Sequence, residues 1–423
     1  MKKLVGVLLV LLLVGGLGLV GAVALGEVED STNVSGIIHF DTRWTRAGSP
    51  YVLTGLVGVA SGVTLTIEPG VMVNLGEYTL QVGGTLYARG GSGANNITFL
   101  SKSAEYGNIA FTNGSVGWNS QTGSGSIIEN AILSSTSISI NNASPKINNN
   151  TITGSLNVDY EASPLISNNL IAGDIGVHSS SPKIDHNSII GGINIGGNAP
   201  VISNNIIEGG GVSGIGIRFD GPYSVNISHN VVYGCSTGVS GYSMATLDGN
   251  LIIDNDDGIK MSSSQILIQN NTVARNSVGI RLLGLYNAIT ITNDNIQDNI
   301  QNSIYLENCR ADVDAVRNWW GTIDSQVINL TIHDRKNEPK LGIVSFAPTI
   351  STPVPEAPTT DYTPISGELP PSQEPATTTP EQPATQFFSQ AGILEIAVAV
   401  IILSVVINIS LVVVVARLLK KKQ

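Results

Sequence analysis

The middle of the chain alternates apolar and polar residues in short bursts, each running into an asparagine. The phrases are SPKINNNTITG (Ser144–Gly154), SPLISNNLIAG (Ser163–Gly173), SPKIDHNSIIG (Ser181–Gly191), APVISNNIIEG (Ala199–Gly209), SVNISHNVVYG (Ser224–Gly234) and QILIQNNTVAR (Gln265–Arg275). Asparagines mark the repeat at Asn130, Asn150, Asn169, Asn187, Asn205, Asn230, Asn250, Asn271, Asn295 and Asn318, with gaps of 18 to 25 residues. A second burst precedes most of them, the apolar-x-apolar steps Ile138/Ile140, Leu156/Val158, Ile175/Val177, Ile193/Ile195, Ile215/Ile217, Ile259/Met261, Ile280/Leu282 and Ile304/Leu306. Successive strand residues face opposite ways, so each step sends two apolar side chains inward and the middle one outward. The pattern predicts at least two strands per repeat and a turn at the asparagine. A period of about 20 residues predicts a solenoid, in which each repeat buries its apolar face on its neighbours.

Three solenoids use a unit of this size. Leucine-rich repeats need a leucine-rich strand and a helical or 3₁₀ return, whereas this chain uses Ile and Val and its return segments look like strands. Left-handed β-helices use rigid hexapeptides, which the wandering gaps do not fit. The remaining choice is a right-handed parallel β-helix.

The phrases also resemble the parallel β-helix repeats of NosD-like and of carbohydrate-binding and sugar-hydrolase-type proteins, with a pectate-lyase-like fold. The opening stretches Gly58–Val71 and Leu80–Ala88 are similar to the first coils of bacterial and archaeal surface proteins of this kind. Asn318-Trp319-Trp320-Gly321-Thr322 is similar to their final coils. The resemblance spans roughly Tyr51–Pro348 and implies an all-β, right-handed parallel β-helix of about a dozen coils. It is weak for function, because the architecture hosts lyases, hydrolases, epimerases, adhesins and structural shafts.

Composition agrees with strands and tight turns: 47 Gly, 13% charged residues and 5% aromatic. A net charge of −11, with no basic run before the C-terminus, argues against a nucleic-acid partner. Cys235 and Cys309 lie about three coils apart, or ~14 Å at strand spacing, beyond disulfide reach, and are read as unpaired core filling.

The ends place the chain. Residues 1–26 combine a Met1-Lys2-Lys3 start, an apolar stretch and an Ala-Val-Ala site at Ala22–Ala24, the form of a signal peptide or an N-terminal anchor. Residues 27–350 are expected to hold the solenoid with its N-terminal cap. Residues 351–390 hold nine of the 18 prolines and no Lys or Arg, and read as an extracellular Pro/Thr-rich stalk. Residues 391–416 read as a transmembrane helix, and 417–423 as a cytoplasmic basic tail carrying Arg417, Lys420, Lys421 and Lys422. The expected location is therefore the cell surface, with the solenoid outside and a single pass through the membrane.

Candidate chemistry follows from the register. The outward middle residues are Ser139, Asn157, Gly176, Asn194, Gly216, Lys260, Arg281 and Tyr305, with Arg218 and Asp220 on the same parity. Arg218, Lys260, Arg281 and Tyr305 would make a cationic, aromatic-edged face for a polysaccharide, with cations on uronate carboxylates and the phenol ring against a sugar. The expected role is structural or adhesive, with glycan contact along this face and no cofactor. The alternative is a lyase acting on acidic polysaccharide, with Lys260 or Arg281 as base or stabiliser and Asp254, Asp256 and Asp257 binding Ca²⁺. Asn255–Gly258 also reads as ordinary turn composition, His186 and His229 as turn residues, and the Trp319/Trp320 pair as an end cap.

Overall fold

One coil shows how the repeat folds. Lys146–Asn148 forms a strand, the chain turns at Asn149 and Asn150, Thr151–Ile152 forms a second strand, and Leu156–Asp159 a third. The next coil repeats this as Leu165–Ser167, Leu170–Ala172 and Ile175–His178, each strand pairing parallel with its predecessor. The computed structural model describes residues 31–360, apart from 105–106, 210–213, 222 and 263–265. Within them the chain winds a parallel β-solenoid of about 13 coils. The strands that lead into the asparagines form one 14-stranded sheet. The other two families are joined because Tyr51–Val59 is long enough to pair with strands of both.

The core is three stacked columns of apolar side chains. Ile147, Ile166, Ile184, Ile202, Ile227, Leu247, Ile268 and Ile291 lie in register along the first sheet. Ile152, Ile171, Ile189, Ile207, Val232, Ile252, Val273 and Ile296 form the second column. The third runs from Ile138 through Leu156, Ile175, Ile193, Ile217, Val239, Ile259 and Ile280 to Ile304. All are fully buried. β-Branched residues suit this geometry because their stiff side chains pack on a pleated surface without losing much further freedom.

The asparagines sit inside the turn. From Asn150 through Asn169, Asn187, Asn205, Asn230 and Asn250, each side-chain Oδ1 accepts from the backbone N–H of the residue one coil earlier, at 2.9–3.0 Å. Each Nδ2 donates onward to the next Oδ1 and back to a main-chain carbonyl, as Asn187 does to Asn205 Oδ1 and Ile166 O. A buried amide is tolerated here because its donors and acceptor are matched by neighbouring coils. The residue before each rung takes a left-handed backbone: Asn149, Asn168, His186, Asn204, His229, Gly249 and Asn270 have φ of 54–68°. His186 and His229 are therefore turn residues.

Two expected rungs are displaced. Asn130 has φ 53° and belongs to the left-handed series, while the ladder position beside it is Ala131, whose N–H meets Asn150 Oδ1. At the other end the rung is Asp294, not Asn295. At the first, the left-handed site is Asn130 and an alanine holds the ladder position; at the second, Asn293 takes the left-handed site at φ 57°, Asp294 the ladder, and Asn295 opens the next strand.

The C-terminal end is closed by Trp320, which is buried with its ring edge-on to Phe346, and by the short helix α1 (Ser325–Leu330), capped by Asp324. Trp319 turns its Nε1 to Gln297 Oε1 at 2.7 Å. Cys235 and Cys309 are both buried and unpaired, and burial pushes the Cys235 thiol up to about 12. Residues 351–360, expected to begin the stalk, lie back on the shaft. The Val354 N–H donates to Asn295 Oδ1 at 2.8 Å, the Thr272 hydroxyl donates to Pro358 O, and Arg275 Nη1 reaches Thr360 O at 3.3 Å. The segments expected to be a signal peptide or anchor (1–26), the remainder of the stalk, a membrane helix (391–416) and a basic tail (417–423) lie outside the described residues. Among the described residues, no helix is long and apolar enough to cross a membrane.

Candidate functional site

The third strand family presents one continuous outward column. In register it runs Ser139, Asn157, Gly176, Asn194, Arg218, Ser240, Lys260, Arg281, Tyr305 and His333. Arg218 holds the place expected for Gly216. Gly216 is buried, and a Cβ there would stand 2.6 Å from Val232 Cγ1 and 3.1 Å from Cys235 Sγ.

That glycine belongs to a second ladder that enters the stack at this coil. The Cys235 N–H donates to Asn255 Oδ1, the Asn255 N–H to Asn276 Oδ1, and the Asn276 N–H to Asn299 Oδ1, at 3.0–3.1 Å. Gly216, Gly238, Gly258 and Gly279 lie against these rungs, and a Cβ on Gly258 would meet Gly279 O at 2.6 Å and Asn276 Nδ2 at 2.8 Å. Asn255–Gly258 thus starts in a turn at a buried amide and runs into the strand Asp257–Met261. The available signal was Asn-x-x-Gly recurring at 255–258 and 276–279.

The cations of the column are partnered by carboxylates. Arg281 Nε lies 2.9 Å from Asp257 Oδ1, and its Nη1 lies 3.3 Å from Glu307 Oε2. Lys260 Nζ is 3.8 Å from Asp257 Oδ2, and Arg218 Nη2 is 3.6 Å from Asp220 Oδ2. Arg281 also lies over the Tyr305 ring at 4.7 Å, while His333 stacks on the same ring at 4.4 Å from the next strand. Both faces of Tyr305 are therefore occupied.

The three expected calcium ligands divide. Asp254 pairs with Arg275 through two bonds, at 2.9 and 2.8 Å, Asp257 lies under Arg281 and Lys260, and Asp256 is exposed. Among the described residues, no three His, Cys, Asp or Glu side chains gather as a metal site.

Two carboxylates on the first sheet are tied down. Burial raises the Asp185 carboxyl, but hydrogen bonds from Asn204, Ser203, Lys183 and His186 together pull it down to about 2. Glu129 accepts from Arg89 at 2.7 Å, Asn148 at 2.9 Å and Lys146 at 3.3 Å, and Lys146 in turn lies over the Trp118 ring. Burial opposes ionisation of Glu129, and the two cations more than offset it.

A notch opens beside the amide end of the outward column. The neighbouring column runs Asn141, Asp159, His178, Gly196 and Asp220. Gly196 has no side chain between His178 and Asp220, and Gly197 follows it in the turn. The resulting hollow of about 550 Å³ is lined by Glu161, Ser179, Gly196, Gly197, Asn198, Asp220, Gly221 and Tyr223. Its size falls within the ~300–1,000 Å³ of small-molecule sites. No residue of its lining except Asp220 stood out in the sequence.

A family model described as the right handed beta helix region matches residues 174–319. The described residues fold as a right-handed parallel β-helix. The matched span takes in the second asparagine ladder, the first from Asn187 onward, and most of the notch. No curated protein and no solved structure matches the chain.

Proposed function

We propose that this β-helix is a shaft displayed at the cell surface, with a structural or adhesive role and glycan contact on the outward face of its third strand family. The observation that supports it best is the internal pairing of that face. Arg281 and Lys260 bridge to carboxylates on their own and adjoining coils, and Arg281, Tyr305 and His333 stack across three strands, so these side chains bind coil to coil. Display rests on the sequence: 21 uncharged residues from Ile396 to Ala416 followed by Arg417 and three lysines.

The test is a glycan screen of the full-length chain against neutral and acidic oligosaccharides with and without Ca²⁺, read at once for binding and for unsaturated products. Binding without products is expected. Unsaturated products that depend on Ca²⁺ would replace this reading with the lyase, and silence across the whole panel would leave a shaft without glycan contact.

A further inference from the structure

Resting on the reading that this face meets glycan, we propose that the notch at Gly196 and Gly197 is a sugar subsite and that the sugar it takes is uncharged. Three features of the notch carry the proposal.

The first is shape. A glycan laid along a pleated solenoid face needs a break in the rows of outward side chains in which to sink a ring. At Gly196 two side-chain-bearing neighbours, His178 and Asp220, stand on either side of a position with no side chain, one strand spacing away each, ~4.8 Å. Gly197 and Gly221 continue the gap into the turn, where a Cβ on Gly221 would come within 2.9 Å of Gly197 Cα. The floor is therefore main chain, and a ring can approach it closely.

The second is chemistry. Glu161 and Asp220 line the hollow, and Asn198 and Ser179 add an amide and a hydroxyl. Ionised carboxylates accept hydrogen bonds and donate none, so they suit adjacent sugar hydroxyls. Tyr223 stands on the rim at 51% exposure, its ring free to cover the C–H face of a sugar while its hydroxyl stays in water.

The third is charge. No lysine or arginine lines the hollow. The nearest cation on the column, Arg218, is held toward Asp220 at 3.6 Å. Asp159, paired with His178 Nδ1 at 3.0 Å, adds a further carboxylate one coil before. A uronate carboxylate in this hollow would meet like charges and be repelled. The preference is thus opposite to that expected from Lys260 and Arg281 alone.

The experiment is calorimetric titration of the full-length chain with neutral gluco-, manno- and galacto-oligosaccharides and with oligogalacturonate. It is repeated with Tyr223→Ala, Asp220→Ala and Gly196→Leu, the last filling the hollow from an outward position. Thermal unfolding of each variant controls for folding. A neutral series should bind, oligogalacturonate should bind at least tenfold more weakly, and Tyr223→Ala and Gly196→Leu should each weaken the neutral ligand at least tenfold with an unchanged unfolding midpoint. Neutral binding indifferent to all three variants would overturn the subsite while leaving glycan contact in place. Oligogalacturonate binding best, and lost in Arg281→Ala but not in Tyr223→Ala, would do the same. Silence to every glycan would overturn both.

Discussion

Asp294 stands in the asparagine ladder against Asn271: its Oδ1 accepts from the Asn271 backbone N–H at 2.7 Å and from Asn271 Nδ2 at 2.9 Å. Its other oxygen, Oδ2, is buried without a partner, where every neighbouring rung has an amide donor. A protonated carboxyl restores that donor as an O–H. Burial accordingly pushes this carboxyl up to about 7.

The consequence for stability has a definite sign. The folded value lies above the ordinary value of 3.8, so the acid form is the one folding prefers. Its contribution is full below about pH 4, falls as pH rises toward 7 and then levels, a loss of order 4 kcal/mol. Asp294→Asn should remove that decline. The difference in urea-unfolding free energy between Asp294→Asn and the parent chain, followed from pH 4 to 8, should grow in favour of the variant. A flat difference would show that the carboxylate is solvated in place.

Asp185 has the reverse sign. Its folded value of about 2 lies below the ordinary 3.8, so it stabilises at neutral pH and loses that contribution as pH falls toward 2. Asp185→Asn should cost about 2 kcal/mol at pH 7 and little at pH 2. Chemical denaturation at the two pH values checks it.

Rungs should differ by position. Asn187→Ala takes away the acceptor of the Asn169 backbone N–H and of one Asn169 Nδ2 hydrogen, the other still reaching Ile147 O, and a donor to the carbonyl of Ile166, all buried. It should cost about 3 kcal/mol or more. Asn130→Ala, at a half-buried turn position, should cost about 1 kcal/mol, chiefly for placing a non-glycine alkyl residue at positive φ. Equal losses in urea unfolding would mean that the ladder adds nothing beyond turn propensity.

Glycines should separate in the same way. Gly258→Ala drives a Cβ to 2.6 Å from the Gly279 carbonyl, which belongs to the next coil and has nowhere to go, so a loss of at least about 2 kcal/mol is expected. Gly196→Ala comes close only to the edge of the exposed His178 ring, at 3.2 Å, with Asp220 Oδ1 and the Val177 carbonyl at ordinary contact distances of 3.7 and 3.8 Å, and should stay within about 0.5 kcal/mol of the parent. Thermal midpoints of the two variants side by side decide it.

The repeat and its core could be read directly, since Ile147, Ile166 and Ile184 sit at matching places in matching phrases. The exact rung could not. In Asn149-Asn150 two residues of similar chemistry compete for a left-handed site and a buried rung, and in Asn293-Asp294-Asn295 three compete for the left-handed site, the rung and the strand beyond; composition does not rank them. The second ladder was readable in principle from Asn-x-x-Gly, but one copy of that pattern looks like any turn. The cationic face was found in the right column, apart from the two-residue shift that replaces Gly216 by Arg218. Its carboxylate partners were not foreseen, because Arg281 meets Asp257 and Glu307 only through the pairing of strands 24 and 26 residues away. The notch left no motif, as it is made by the lack of a side chain at Gly196 between loops far apart in sequence.

The return of residues 351–360 onto the shaft changes how the molecule carries load. Any tension on the chain beyond Thr360 reaches the solenoid first through Arg275, then Thr272, then Asn295, three attachment points on two adjoining coils. The terminal coil, sealed by Trp320, is not the first to feel it. A pull that would peel an end-tethered solenoid from its last strand is here shared by two adjoining coils inside the stack.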